Sequence, residues 1–314
     1  MPGSSPPPAV VIALCTLNGA RWLPEQLDSI AAQEMTDWVL WASDDGSTDD
    51  TPAILDGFAA RFPGRVRRLA GPRRGAAAHY LGLICHPDLP LGPATHLALS
   101  DQDDIWQPAK LGRALDFLAR QPDRGQRPLI YGAQSLHIGE GGRVTGRSRR
   151  PQRPVSLRNA VVQNMVSGHS LMLDPLALAL ARQAGVPPGL GFQDWWLSFL
   201  VLACGGRAAI DLEEVLLYRQ HGANLMGAPQ GLGALRSRLG LLMRSDFARW
   251  VAANLAGLEA PGLPLTPEAQ RLRGLLAGGG GGPARLARVI RAGLYRQSRP
   301  ETALIWLAAL LGRV

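Results

Sequence analysis

The first 120 residues alternate between short apolar runs and amphipathic segments, and this alternation limits the folds open to the chain. The apolar runs predict buried strands, and the segments between them repeat leucine, isoleucine or phenylalanine with the spacing of one helix face. The predicted strands span 10–15, 38–43, 65–70 and 96–100, and the predicted helices cover about 23–30, 54–58, 75–85 and 110–120. This order predicts an α/β fold with a doubly wound, mostly parallel sheet.

Composition removes several function classes. The single lysine, Lys110, lies in no GxxxxGK[ST] motif, which excludes a P-loop nucleotide hydrolase, and no GxGxxG occurs. Three widely spaced cysteines argue against a disulfide scaffold or a cysteine-based zinc site and favour a reducing cytoplasm. No apolar run reaches 18 residues, so we expect no transmembrane span. We expect a disordered lead-in (1–8), a main domain (9–228) and a helical, arginine-rich C-terminal region (229–314) with a glycine-rich break at 278–283.

The C-terminal region carries the whole formal charge of +8, because residues 229–314 hold twelve arginines and four acidic residues. A helix over 284–296 would place Leu286, Val289 and Ile290 on one side and arginines on the other. The apolar segment 303–311 is too short to span a bilayer. Two interpretations stay open: these segments pack on the main domain, or they bind an anionic membrane surface. Nucleic acid is disfavoured because no aromatic residues alternate with the arginines.

Two acidic clusters follow predicted strands. Asp44 and Asp45 follow the second strand, and Asp101, Asp103 and Asp104 follow the fourth. In open α/β sheets, ligands bind beyond the carboxyl ends of the strands. Clustered carboxylates suit Mg²⁺ or Mn²⁺, which in turn suit a diphosphate. The structural alternatives are a turn at Asp44 and a solvated loop in which Asp104 caps the next helix.

Two further side chains are candidates for chemistry. Asp194 precedes Trp195 and Trp196, and apolar neighbours raise the pKa of a carboxyl toward that of a general base. The alternative is a helix N-cap. His221 follows a strand-like apolar run and enters a polar loop, although a lone histidine is often structural. We expect the other histidines, His169 among them, to be structural.

The motifs together resemble the family 2 glycosyltransferases with the nucleotide-sugar-binding (GT-A) fold, within them the rhamnosyltransferase-like subgroup. The matching segments, in order, are TLNG (16–19), SDDGSTDDT (43–51), GPRRG (71–75), SDQDDIW (100–106), SGHSLML (167–173), QDWW (193–196) and YRQHGANLMG (218–227). They cover roughly residues 9–228, and SDQDDIW, QDWW and YRQH are the most specific in combination.

The resemblance implies a role for each matching residue. Thr16, Asp44, Asp45, Arg74, Asp101 and Arg219 would bind the nucleotide-sugar donor. Asp103, the second aspartate of the DxD motif, and His221 would hold Mn²⁺ or Mg²⁺. Asp194 would be the catalytic base, and Trp106, Trp195 and Trp196 would contact the sugars, with core packing the alternative for at least one of them.

The implied reaction is an inverting, metal-dependent transfer of a sugar, with rhamnose from dTDP-rhamnose favoured, to a glycan or lipid-linked acceptor in cell-surface polysaccharide synthesis. The enzyme would be cytoplasmic, with peripheral attachment to the inner face of the membrane through its basic region. Two alternatives stay open. One is an inactive, membrane-associated assembly protein with the same fold, and the other is a metal-dependent phosphodiester hydrolase.

Overall fold

The computed structural model describes residues 6–221 and 245–313. The first five residues of the predicted lead-in and the predicted domain boundary at 228/229 lie outside these ranges. Within them, nine strands form one mixed sheet in the order β3-β2-β1-β4-β8-β6-β9-β5, with β7 paired to β6. The strands are β1 (Val10–Thr16), β2 (Trp38–Asp44), β3 (Val66–Ala70), β4 (His96–Ser100), β5 (Ile105–Trp106), β6 (Leu129–Ile138), β7 (Val144–Arg147), β8 (Met172–Leu173) and β9 (Arg207–Arg219).

Helices connect and cover these strands. They are α1 (Leu23–Ala31), α2 (Thr51–Arg61), α3 (Ala76–Ile84), α4 (Lys110–Ala119), α5 (Leu157–Ala160), α6 (Pro175–Ala184), α7 (Gln193–Ala203), α8 (Ser245–Gly257), α9 (Pro267–Leu276), α10 (Gly282–Arg291) and α11 (Arg299–Leu310). A short 3₁₀ turn occupies Gly168–Ser170. The α/β fold, with parallel strands in its first half and C-terminal helices after the sheet, agrees with the sequence prediction.

The first four predicted strands form the parallel half of the sheet. β1 pairs in parallel with both β2 and β4, and β2 pairs in parallel with β3. All seven residues of β1 are buried, because helices cover both faces of a doubly wound sheet. Parallel strands end at the same edge. This topology therefore brings the chain after Thr16, Asp44 and Ser100 to one edge of the molecule.

The second half of the sheet is mixed. β8 lies antiparallel between β4 and β6, β5 lies antiparallel to β9, and β6 and β9 are parallel. β9 runs for 13 residues and ends at Arg219. Its end approaches the loop after β4, so residues more than a hundred positions apart in sequence meet at the carboxyl edge.

The C-terminal helices pack on the main body. Phe247, Leu272, Val289 and Ile305 belong to the same buried apolar cluster as residues of β1 and β4. This supports the interpretation that the region docks on the domain. Among the described residues, no helix is both long and apolar enough to cross a bilayer.

The basic amphipathic helix differs in detail from the prediction. α10 ends at Arg291 rather than at 296, and Gly293 adopts a left-handed φ of 63° just beyond it. Ile290, predicted to face inward, is 51% exposed. Gly282, assigned to the glycine-rich break, is the first residue of α10, and the loop before it is bound by arginine: Arg288 donates a hydrogen bond to the carbonyl of Gly279 (2.6 Å).

Candidate active site

The loop after β2 is a tight turn built around Asp44. Its carboxylate accepts hydrogen bonds from the Thr16 hydroxyl (2.9 Å), the Ser47 amide (2.9 Å) and the Gly46 amide (3.1 Å). Burial alone would raise the pKa of Asp44, but these donors stabilise the anion and hold its pKa below the ordinary value. Thr16 and Asp44, both predicted to bind the donor, thus bind each other and fix the turn.

Asp45 occupies the next position with a different environment. Its side chain is 9% exposed and accepts a hydrogen bond from the Arg73 amide (2.6 Å), and the ring of His79 lies 3.9 Å away. His79 in turn is hydrogen bonded to Ser43 (2.7 Å). Burial lowers the pKa of His79, so the imidazole is neutral. Arg74, predicted to bind the donor, is exposed on the loop after β3, next to Arg73.

The start of α2 is fixed by Asp49 and not by its N-cap residue. Asp50 occupies the N-cap position, but its side chain makes no capping hydrogen bond. Asp49 instead accepts hydrogen bonds from the amides of Thr51 (3.1 Å) and Ala20 (3.0 Å). It therefore links the loop after β1 to the start of α2.

The SDQDDIW loop is bound on both sides. Asp101 accepts a hydrogen bond from the Tyr80 hydroxyl (2.7 Å), and the Gln102 amide group bonds both the amide and the carbonyl of Leu17 (2.9 and 3.1 Å). Burial, together with repulsion from Asp103, raises the pKa of Asp101 to about 7. The loop is thereby held against the end of β1.

Asp103 and His221 meet as the resemblance implies. The His221 Nε2 atom lies 2.7 Å from the Asp103 carboxylate, and both side chains remain partly exposed, at 13% and 14%. Chain segments 118 residues apart in sequence thus supply one carboxylate and one imidazole at the carboxyl edge of the sheet.

The side chain of Arg219 is buried next to this pair. Its side chain is 2% exposed, pairs with Glu25 (2.7 Å), and donates to the carbonyls of Asp103 (3.2 Å) and Glu140 (3.3 Å). The guanidinium also stacks over the ring of Trp22, 4.2 Å from its centroid. The sequence motif predicts that Arg219 binds the nucleotide-sugar donor. In this structure its guanidinium holds the backbone of Asp103 in place through a hydrogen bond.

A second group of ligand-type side chains lies deeper in the site. One ligand atom from each of Asp101, Asp104 and His169 falls within 4.8 Å of the other two. Asp104 is fully buried, and burial followed by repulsion from Asp101 and Asp103 raises its pKa well above the ordinary value. It does not cap α4, whose N-cap is Ala109. His169, expected to be structural, has a pKa lowered to about 3 by burial, so its ring is neutral.

The only lysine of the chain is buried beside these carboxylates. Lys110 is 2% exposed, and its ammonium lies 3.4 Å from the centroid of the Trp106 ring. Burial lowers the pKa of Lys110 to about 7, although Asp104 and Asp101 act in the opposite direction. With a pKa of about 7, Lys110 is only partly protonated at neutral pH, so the positive charge that it brings to the acidic site depends on pH.

Asp194 reaches the same site from α7. It lies in the first turn of the helix rather than at the N-cap, which is Phe192. Its carboxylate accepts a hydrogen bond from the amide of Gly168 (2.8 Å), the residue before His169. Burial raises the pKa of Asp194, and its hydrogen bonds oppose the shift only in part. Asp194 also contributes to the raised pKa of Asp101, which places both carboxylates in one electrostatic environment.

The three tryptophans expected to contact the sugars are buried, which favours the alternative of core packing. Trp106, Trp195 and Trp196 are 3%, 4% and 0% exposed. The Trp195 indole N–H donates to the carbonyl of Ala160 (2.6 Å). None of these rings presents a face on which a sugar could stack, so in this structure they belong to the core.

Sequence reasoning missed Trp22. This half-buried ring has the guanidinium of Arg21 4.2 Å from its centroid and lies stacked beside His221, with a centroid separation of 6.2 Å. The available signal was its position, three residues after the Asn18-Gly19 turn that follows β1.

Comparison with known proteins agrees with this geometry. Residues 11–136 match the model of glycosyl transferase family 2. The chain is 27% identical over 258 residues to the dTDP-rhamnosyl transferase RfbG of Shigella flexneri, covering 76% of this chain and 82% of that protein. Residues 11–136 therefore form a glycosyl transferase family 2 domain, and the chain is similar over most of its length to a dTDP-rhamnosyl transferase.

Solved structures show the same fold. S. aureus TarS 1-349 in complex with UDP-GlcNAc matches with a TM-score of 0.55 and 14% identity, covering 90% of this chain and 83% of that one. The mannosyltransferase PcManGT from Pyrobaculum calidifontis in complex with GDP-Man and Mn2+ matches with a TM-score of 0.52 and 21% identity, covering 98% and 88%.

The site residues fit a divalent cation. A carboxylate and an imidazole in direct contact, with further buried carboxylates behind them, offer the oxygen and nitrogen donors that Mn²⁺ accepts, and carboxylates alone would suit Mg²⁺. The neutral His169 ring is also in the form that can coordinate a metal.

Proposed function

We propose that this chain is an inverting, metal-dependent glycosyltransferase that transfers rhamnose from dTDP-rhamnose to a glycan or lipid-linked acceptor in cell-surface polysaccharide synthesis. The observation that carries the proposal is the convergence of Asp101, Asp103, Asp194 and His221 at the carboxyl edge of the sheet. The similarity to a dTDP-rhamnosyl transferase supports the donor.

In the proposed reaction Asp194 is the general base. Its carboxylate, fixed by the Gly168 amide, accepts the proton of an acceptor hydroxyl. The acceptor oxygen attacks the anomeric carbon, and the bond from that carbon to the diphosphate oxygen breaks with inversion. A pKa raised by burial makes Asp194 a stronger base than a solvated aspartate.

Asp103 and His221 would hold the divalent cation, which supplies positive charge to the departing diphosphate. Arg219 and Gln102 would act indirectly by fixing the loop that carries Asp103. Asp45, beside the turn that Asp44 and Thr16 close, is the candidate for contact with the nucleoside, and the exposed Arg74 is a candidate for the diphosphate.

A ³¹P NMR assay tests this function. dTDP-rhamnose is incubated with Mn²⁺ and a panel of free and lipid-linked oligosaccharides, and release of dTDP is followed. The proposal predicts release that depends on an acceptor, a product anomer opposite to that of the donor, and loss of turnover in Asp194→Asn. Asp28→Asn, on an exposed aspartate of α1, is the matched control.

Release of dTDP in water alone at the same rate would favour the phosphodiester hydrolase instead. A folded protein that binds nucleotide but transfers to no acceptor, with identical spectra for parent and Asp194→Asn, would favour the inactive assembly protein.

A further inference from the structure

Exposed apolar side chains concentrate on the last helical hairpin. Among the described residues, ten large apolar side chains are exposed, and five of them lie between positions 290 and 311. Four of these five share one face of α11 and its C-cap residue, and they are here called the apolar crest. They are Trp306, Leu307, Leu310 and Leu311, with exposures of 42%, 46%, 43% and 50%.

The crest is a property of the packed helix. The opposite face of α11 buries Thr302, Ile305, Ala308 and Ala309 against the body. At 100° per residue, positions 306, 307, 310 and 311 fall within about 140° of one another, on the side away from that contact. The helix is therefore already docked, and the crest remains as a second apolar face exposed to solvent.

The hairpin is antiparallel, so the start of α10 lies beside the end of α11, which carries the crest. A β-carbon added at Gly282, the start of α10, would collide with the carbonyl oxygen of Leu310 at the end of α11. Arg285 donates a hydrogen bond to the carbonyl of Gly312 (3.0 Å), which places a guanidinium immediately beyond Leu311.

The charge around the crest has one sign. Residues 282–313 contain six arginines and one acidic residue, Glu301. The Glu301 side chain is only 15% exposed and lies 3.8 Å from both Arg149 and Arg296. Arg291, Arg299 and Arg313 are exposed. The surface that surrounds the crest is consequently cationic.

We propose that the apolar crest and its arginines form a docking surface for an anionic phospholipid membrane, with α11 lying in the plane of the interface. Tryptophan favours the membrane–water interface, and arginine attracts anionic headgroups while its stem lies on apolar surface. A helix of twelve residues is about 18 Å long, so it lies along the interface and does not cross the ~30 Å hydrocarbon core.

A second copy of the chain fits the crest less well. In a two-fold dimer, the same patch faces itself, and the arginines around one crest would approach those around the other. Like charges brought together oppose such an interface, whereas anionic lipid compensates them. The inference rests on the proposed function only in that a lipid-linked acceptor would lie in the same membrane.

Vesicle co-sedimentation of the full chain tests the proposal without donor or acceptor, so its outcome is independent of the transfer assay. We expect binding to vesicles of phosphatidylglycerol mixed with phosphatidylcholine, weak binding to phosphatidylcholine alone, and weaker binding at high salt. Leu307→Glu combined with Leu310→Glu should reduce partitioning about tenfold or more. Leu176→Glu, on a residue of α6 that is 39% exposed, is the matched control and should bind like the parent.

A variant with fewer arginines tests the electrostatic part of the proposal in the same co-sedimentation assay. Arg291→Gln with Arg313→Gln should reduce binding to anionic vesicles by about fivefold per arginine, or about 25-fold for the pair, and leave binding to neutral vesicles unchanged. Arg120→Gln, on the exposed arginine that follows α4, is its control.

Three results overturn the proposal: no binding of the folded parent to anionic vesicles, equal loss in the crest and Leu176 variants, or unchanged binding in the crest variant. If size-exclusion chromatography instead shows a dimer that the crest variant converts to monomer, while vesicles are not bound, the crest is a protein interface.

Discussion

Replacement of Arg219 by methionine tests whether this residue supports the backbone of Asp103 or contacts the nucleotide-sugar donor directly. The buried guanidinium pairs with Glu25 and donates to two carbonyls, one of them that of Asp103. Removing one member of a buried ion pair costs about 3–5 kcal/mol. Because Glu25 is 51% exposed, water recovers part of this loss, and we expect Arg219→Met to lower the free energy of unfolding by about 2–3 kcal/mol.

Calorimetry and nucleotide binding measure the two consequences separately. At about 2 °C per kcal/mol for a chain of this size, Tm should fall by about 4–6 °C. Release of the Asp103 backbone should also weaken Mn²⁺-dependent dTDP binding, by about tenfold at 25 °C, where the variant is still folded. Arg61→Met, on an exposed arginine paired with an exposed Asp28, should change neither quantity.

The reasoning would be refuted by an unchanged Tm together with complete loss of dTDP binding. That result would mean that Arg219 contacts the donor directly, as the sequence motif alone implies.

Three further predictions address the rest of the site. His221→Ala should weaken Mn²⁺ binding in titration calorimetry by about 10–100-fold. Combining it with Asp103→Asn should add little, since both variants remove ligands of one ion. Additive losses of binding free energy would mean that the two residues do not hold the same ion. The pKa of Asp101 is raised to about 7, and a cation held by the neighbouring Asp103 would favour the ionised form of Asp101. Binding of Mn²⁺ below pH 7 should therefore release a proton, so the Mn²⁺ Kd should weaken by up to about tenfold per pH unit below 7 and level off above it. A flat profile between pH 5.5 and 7 would contradict this. Trp195→Phe should lower the free energy of unfolding by about 1–2 kcal/mol through loss of its bond to Ala160, with kcat/KM unchanged, whereas a specific rise in acceptor KM would restore the sugar-contact role.

The parallel half of the fold follows from sequence because its signals are local. Apolar runs such as 10–15 and 96–100 are long enough to identify strands, and the amphipathic spacing of Leu23, Leu27 and Ile30 identifies the helix that follows β1. The mixed half could not be derived in this way. β5 and β8 have two residues each, and their pairing depends on β9 and β6, which are distant in sequence.

The candidate site shows the same division. The positions of the predicted strand ends indicated where the carboxylates lie close together, because parallel strands end at the same edge of a sheet. The degree to which each side chain is buried was not predictable, since it depends on packing between segments that are distant in sequence. The QDWW motif does not indicate whether its two indole rings contact a sugar or pack in the core. In the structure both rings are buried. The surroundings of Arg219 and His169 were likewise not predictable, because their neighbours come from the loop after β4, from α1 and from the loop after β6.

The measurement that tests the central claim most directly is titration calorimetry of dTDP, UDP and GDP, with and without Mn²⁺ or Mg²⁺, on the parent, Asp103→Asn and Asp194→Asn. The account predicts metal-dependent binding of dTDP by the parent, loss of that binding in Asp103→Asn, and binding close to that of the parent in Asp194→Asn, which should fail only in transfer. Binding that ignores the metal, binding that survives in Asp103→Asn, or no binding of any of the three nucleotides by the folded parent would contradict it.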